Sequence, residues 1–160
     1  MIKKGKIRQS ALYRALLRLA KLLKIKGSRK GKNSNLRNFI EIVRKSDELL
    51  TKKHLFLDQN FKLETLAREI GTNRTYLSRS IRYIKKENFA GYINSKRVEY
   101  AKSIISKRAT CSLCGTDKPI MSTEDFAIAS GFGSKRSFVR CFKEREGFTP
   151  SQFRNHMNCH

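Results

Sequence analysis

Acid is scarce in this sequence. Its 160 residues include 13 Asp and Glu against 36 Lys and Arg, a formal charge of +23. Residues 1–32 hold 12 basic side chains and no acidic one, the first acid being Glu41, and +11 remains from residue 33 onward. Self-repulsion on this scale is best tolerated by a chain whose partner is an anion. Nucleic acid is the first candidate and an anionic membrane surface the second. Long hydrophobic runs are also missing. No apolar stretch approaches 18 residues, which excludes a membrane-spanning helix. Arg14, Arg18, Lys21 and Lys24 interrupt the N-terminal apolar stretch and exclude a secretory signal peptide. Four cysteines without an export signal point to reduced thiols rather than a disulfide framework. The length suits one medium domain or two small ones, and 39% apolar residues suffice for one or two modest cores.

What is present is helical periodicity. Residues 10–25 form a basic amphipathic segment with Leu12, Leu16, Leu19 and Leu23 on one stripe. Docking on a neighbour or fraying is preferred over lying on lipid headgroups. Residues 25–35, rich in Gly, Ser, Asn and charge, read as a linker. A helix is expected over residues 36–50, with Phe39, Ile42, Val43 and Leu49 or Leu50 inward.

From Phe61 the pattern becomes specific. FKLETLAREIG predicts a short helix burying Leu63, Leu66, Ala67 and Ile70, stopped at Gly71. RTYLSRSIRYI predicts a second helix after Thr72-Asn73, with Leu77, Ile81 and Ile84 inward. Two helices around a tight glycine turn make a helix-turn-helix. The arrangement then recurs: TEDFAIASGF repeats the Ala-x3-Gly spacing, Ala67–Gly71 becoming Ala127–Gly131, and KRSFVRCFKE supplies the second helix with Phe138 and Phe142 inward. GYINSKRVEYAKSIISK between the copies predicts a longer helix, and SQFR starts a terminal one after Gly147-Phe148-Thr149-Pro150.

The expected fold is all-α, tandem helix-turn-helix units joined by a linker helix. It divides into a basic leader (1–32), a preceding helix and connector (33–58), a first unit with linker helix (59–108), a cysteine-containing inserted loop (109–120) and a second unit with tail (121–160).

Burying Leu77 and Ile81 leaves Arg74, Thr75, Ser78, Arg79 and Arg82 outward. Burying Phe138 and Phe142 leaves Lys135, Arg136, Val139, Arg140 and Lys143 outward, at matching positions when Leu77 is laid on Phe138. One charged face is ordinary solvated surface; two equivalent faces, nearly free of acid, point to duplex DNA. Arginine can bond guanine O6 and N7 bidentately, and Thr75 and Val139 offer apolar contact for a thymine methyl. Asn73 and Ser134 are read as N-caps ahead of base readers. Arg82, Lys143, Arg37, Arg44, Lys45 and Arg68 are candidates for phosphate or for solvated surface.

Residues 61–154 closely resemble the DNA-binding domain of the AraC/XylS family of bacterial transcription regulators. The likeness rests on Gly131-Phe132, Ser137-Phe138, Arg140, Phe142-Lys143, Gly147-Phe148-Thr149-Pro150 and Phe153-Arg154. Leu66-Ala67, Gly71, Tyr76-Leu77-Ser78-Arg79 and Phe89 carry it in the first unit, and Tyr92-Ile93, Arg97 and Ala101 in the linker helix. The resemblance implies a homeodomain-like, two-lobed domain of roughly seven helices, with two recognition helices entering successive major grooves about 34 Å apart. It assigns base reading to Arg74, Thr75, Ser78, Arg79, Lys135, Arg136, Val139 and Arg140. It also implies activation through RNA polymerase and a cytoplasmic, nucleoid-associated location. The usual fused sensor domain has no counterpart in residues 1–58, so a small-molecule effector is not expected. A short regulator, a truncated copy and an isolated domain of a larger ancestor remain alternatives. So does a protein-interaction or membrane-peripheral adaptor that has lost specific DNA reading.

Two further departures from the family pattern are visible. The usual glycine after the first recognition helix is absent, and Asn88 is expected to take the left-handed conformation instead. The stretch after Ala101 is lengthened and holds Cys111-x2-Cys114. A zinc site there would need Cys159, His156 or His160 as further ligands. Free thiols are the preferred reading, Cys141 is read as a packing residue, and no cofactor is expected. A Cys-x-x-Cys redox enzyme lacks its strand-helix context, and no enzyme is expected.

Overall fold

A computed structural model describes residues 30–112 and 121–158, with side chains described for 35–108 and 121–157. Among the described residues there are seven α-helices and no strand: α1 (Lys30–Lys53), α2 (Leu63–Glu69), α3 (Arg74–Lys85), α4 (Phe89–Ser112), α5 (Thr123–Ala129), α6 (Lys135–Glu146) and α7 (Pro150–Asn158). A single 3-10 turn, Leu55–Leu57, separates α1 from α2. Residues 35–160 group into one unit, to which all that follows refers. The amphipathic stripe of residues 10–25 lies outside the described residues.

The apolar residues of α4 change sides along its length. At about 100° per residue, Tyr92 and Ile93 fall on one face, and Val98, Ala101 and Ile105 fall nearly opposite. Each face closes a separate core. Tyr92 and Ile93 pack with Leu50, Phe56, Leu66, Leu77 and Ile81. Val98, Ala101 and Ile105 pack with Phe126, Phe132, Phe138, Cys141 and Phe142. Burying side chains of this size contributes about 1.5–3 kcal/mol each, so α4 is held from both sides.

Both turns carry their glycine in the left-handed region, Gly71 at φ 69° and Gly131 at φ 81°. A Cβ on Gly71 would meet nothing within 4 Å, whereas one on Gly131 would lie 2.6 Å from the Leu57 carbonyl oxygen. The second turn is one residue longer, and its Phe132, at the backbone position that Thr72 holds in the first, is buried in the core at 3% exposure. The repeat offset therefore grows from 60 at the glycines to 61 in the helices that follow. Asn73 caps α3, its Oδ1 accepting the Tyr76 N–H at 2.8 Å. Ser134 caps α6, its Oγ accepting the Ser137 N–H at 3.2 Å. A Ser122–Asp125 capping box starts α5, and the backbone N–H of Ser122 bonded to the Asp125 carboxylate holds that group below its usual range.

Three elements differ from the sequence expectation. Helix α1 begins at Lys30, inside the stretch read as linker, because its polar residues add turns to a helix anchored further on by Val43 and Leu50. Helix α4 continues to Ser112, so the first residues of the expected loop 109–120 are helical. The left-handed residue after α3 is Lys86 at φ 60°, not Asn88. It directly follows the last helical residue, as Gly147 does after α6. Asn88 instead accepts the Gly91 N–H at 2.8 Å near the start of α4.

Candidate nucleic-acid interface

With Leu77 and Ile81 fully buried, α3 exposes Arg74, Thr75, Arg79 and Arg82, and Ser78 is half-buried. With Phe138 and Phe142 fully buried, α6 exposes Lys135, Arg136, Arg140 and Lys143. Val139 is half-buried and packs on the second core, so only part of it faces outward. Among the described residues, none of Arg79, Arg82, Lys135, Arg136, Arg140 and Lys143 enters an ion pair. Their donors are available to an anion, and each helix N-terminus adds a positive dipole end. Arg74 alone is engaged, with its Nε 3.1 Å from Glu64, an exposed pair that solvent weakens.

The phosphate candidates separate. Arg37 and Arg68 are exposed and unpaired among the described residues. Arg44 is held on its own helix, donating to Glu41 at 2.6 and 2.9 Å and to Glu48 at 2.5 Å. That chelation sets Arg44 apart from the free cations. Asn73 and Ser134 spend their side-chain oxygens on caps.

Three polar assemblies that hold the reading helices escape sequence inspection. Asp47 of α1 receives Lys85 at 2.9 Å, Lys96 at 2.8 Å and the Tyr92 hydroxyl at 2.9 Å, tying α1 to α3 and α4. Arg97 donates to the carbonyls of Phe56 at 2.6 Å and Asp58 at 2.9 Å, and its guanidinium lies 5.8 Å from the Phe132 ring. Arg145 bonds Glu87. The available signal for the first was Lys96 itself, a cation sharing a helical face with Tyr92 and Ile93 and hence requiring a carboxylate.

Among the described residues no group of three His, Cys, Asp or Glu is placed to hold a metal. Cys114, Cys159, His160 and the side chain of Cys111 lie outside the described residues. His156 is exposed on α7, its ring 6.5 Å from that of Phe148. Cys141 is 7% exposed and lies 3.6 Å from the Asn94 amide nitrogen that donates to it. No helix among the described residues is long and apolar enough to cross a membrane.

The geometry is that of two helix-turn-helix units, and a family model described as "Helix-turn-helix domain", of AraC type, matches residues 66–156. The chain belongs to the AraC/XylS family. It therefore carries the helix-turn-helix domain of a family of DNA-binding transcription regulators, a class that is generally non-enzymatic. It is 27% identical over 101 residues to the regulatory protein SoxS of Escherichia coli, covering 63% of this chain and 84% of SoxS. It is 30% identical over 98 residues to the probable transcription factor PqrA of Proteus vulgaris, covering 61% and 70%. It is 28% identical over 109 residues to the HTH-type transcriptional regulator YtdP of Bacillus subtilis, of which it spans only 13%. It spans 55% of a regulator from Pseudoalteromonas carrageenovora. The C-terminal domain of the response regulator AraT from Geobacillus stearothermophilus shares the fold, with a TM-score of 0.55 at 24% identity over 72% of this chain and 84% of that one. An AraC-type regulator from Chromobacterium violaceum has a TM-score of 0.57 at 15% identity, over 73% and 92%.

Proposed function

We propose that this AraC/XylS member reads one specific duplex site by placing α3 and α6 in successive major grooves, and that it activates transcription there through RNA polymerase. The observation that carries this reading is the pair of matched, exposed basic faces, free of ion pairing among the described residues except at Arg74. Base reading falls to Arg74, Thr75, Ser78 and Arg79 on α3, and to Lys135, Arg136, Val139 and Arg140 on α6. Arg82, Lys143, Arg37 and Arg68 meet phosphate, which positions the protein without reading sequence. Such a regulator works on the nucleoid in the cytoplasm and needs no cofactor or small-molecule effector. An adaptor role on proteins or membranes leaves the duplicated cation pattern without a use.

Selection from a random duplex library tests the reading. Enrichment of a two-part motif with halves about one helical turn apart, roughly 10–10.5 bp, is the expected result. Enrichment of a single short motif, or of none, sinks it.

A further inference from the structure

The C-terminal end of α6 reaches the turn that follows α3. Helix α3 ends at Lys85 and Glu87 follows two residues later, in the turn leading to α4. Arg145 is the penultimate residue of α6. Its Nη1 donates to Glu87 Oε1 at 3.2 Å, its Nη2 to Glu87 Oε2 at 2.9 Å, and Nη2 also to the Gly91 carbonyl at 2.7 Å. A planar guanidinium bonded through two nitrogens fixes angle as well as distance, which a lone lysine contact does not. Beside it, Lys102 of α4 pairs with Glu146, the last residue of α6. One fork thus joins the turn that ends α3 to the end of α6.

We infer that the Arg145–Glu87 fork sets the spacing of the two half-sites this protein accepts. The inference rests on the two-groove reading above. Inserting one base pair between half-sites displaces the second by about 3.4 Å and rotates it by about 35°. A fixed pair of helices cannot follow both changes. Arg145 and Glu87 are positioning residues: they lie outside the base-reading set and act through the separation of α3 and α6.

The test measures full-length protein on duplexes carrying the selected site at its own spacing and with one or two base pairs inserted or deleted. Wild type is expected to lose roughly tenfold or more in affinity per base pair of misfit, a loss comparable to one mismatched base pair. Arg145→Ala and Glu87→Ala flatten that profile to about threefold or less, well under the loss from one mismatched base pair. The exchanged double variant, Glu87→Arg with Arg145→Glu, sharpens it again. Affinity for duplexes bearing a single half-site stays unchanged in all variants. A sharp profile retained by both alanine variants overturns the inference. So does an equal loss on single half-site duplexes, which makes the fork a prop of the fold alone. If wild type itself shows no two-part site, the two-groove reading falls, and this inference with it.

Discussion

Lys96 is 7% exposed, and its ammonium lies 2.8 Å from Asp47 and 4.0 Å from the more exposed Glu99. Burial pushes the Asp47 carboxyl up, but Lys96 and Lys85 outweigh it and hold it below its ordinary value. A carboxylate whose folded pKa is depressed stabilises the fold above its unfolded pKa, about 3.9 for aspartate. That contribution is lost as pH falls through the lower folded value. Asp47→Ala is expected to cost about 2–3 kcal/mol at pH 7, since it leaves the buried Lys96 ammonium with only the distant Glu99 carboxylate. Urea unfolding should show the loss, together with a weaker pH dependence below about pH 4 than in wild type; a variant as stable as wild type would mean that the network does not hold the fold. On the DNA side, Arg136→Ala with Arg140→Ala should reduce discrimination between the selected site and random duplex by about 1–3 kcal/mol for each base no longer read. Equal discrimination in competition binding would show that α6 does not read bases.

Element by element, the helices were legible where period and punctuation agree. Leu66-Ala67 with Gly71, and Ala127 with Gly131, mark both inner faces and both stops, and the structure places all three apolar residues in the cores, with Phe126 beside Ala127. The left-handed residue after α3 was not legible. Composition favours asparagine there, but helix length decides the position, and the helix ends one residue before Lys86. The early start of α1 escaped for a related reason, since its first turns have no apolar face to betray them. The two turn glycines make a graded prediction. Gly71→Ala should cost about 1–2 kcal/mol, the strain of a left-handed residue with open space around it. Gly131→Ala should cost at least about 3 kcal/mol, because strain and collision with the Leu57 backbone add. Thermal or urea unfolding of the two variants checks the order; equal losses would mean the Leu57 backbone yields freely.

On the scale of the whole molecule, +23 must act over distance as well as at close range. Removing residues 1–29 should weaken all duplexes alike and lower the salt slope by about 0.9 for each phosphate no longer neutralised. Loss of specificity with non-specific binding intact would instead make the leader a base reader. The duplicated faces were readable because they recur in one chain at a fixed offset. The ties between lobes were not, since Arg97 and Arg145 look like ordinary surface cations until the fold brings them carbonyls and a carboxylate. Leu57 belongs to the first core and Gly131 to the turn of the second unit, and nothing but glycine fits between their backbones. Loosening the 3-10 turn thus removes the wall against which the second turn is built. The two lobes should melt as one cooperative unit, and the Gly131 amide, bonded to Ile128 at 3.0 Å, should exchange its hydrogen no more slowly than the amides of the first core.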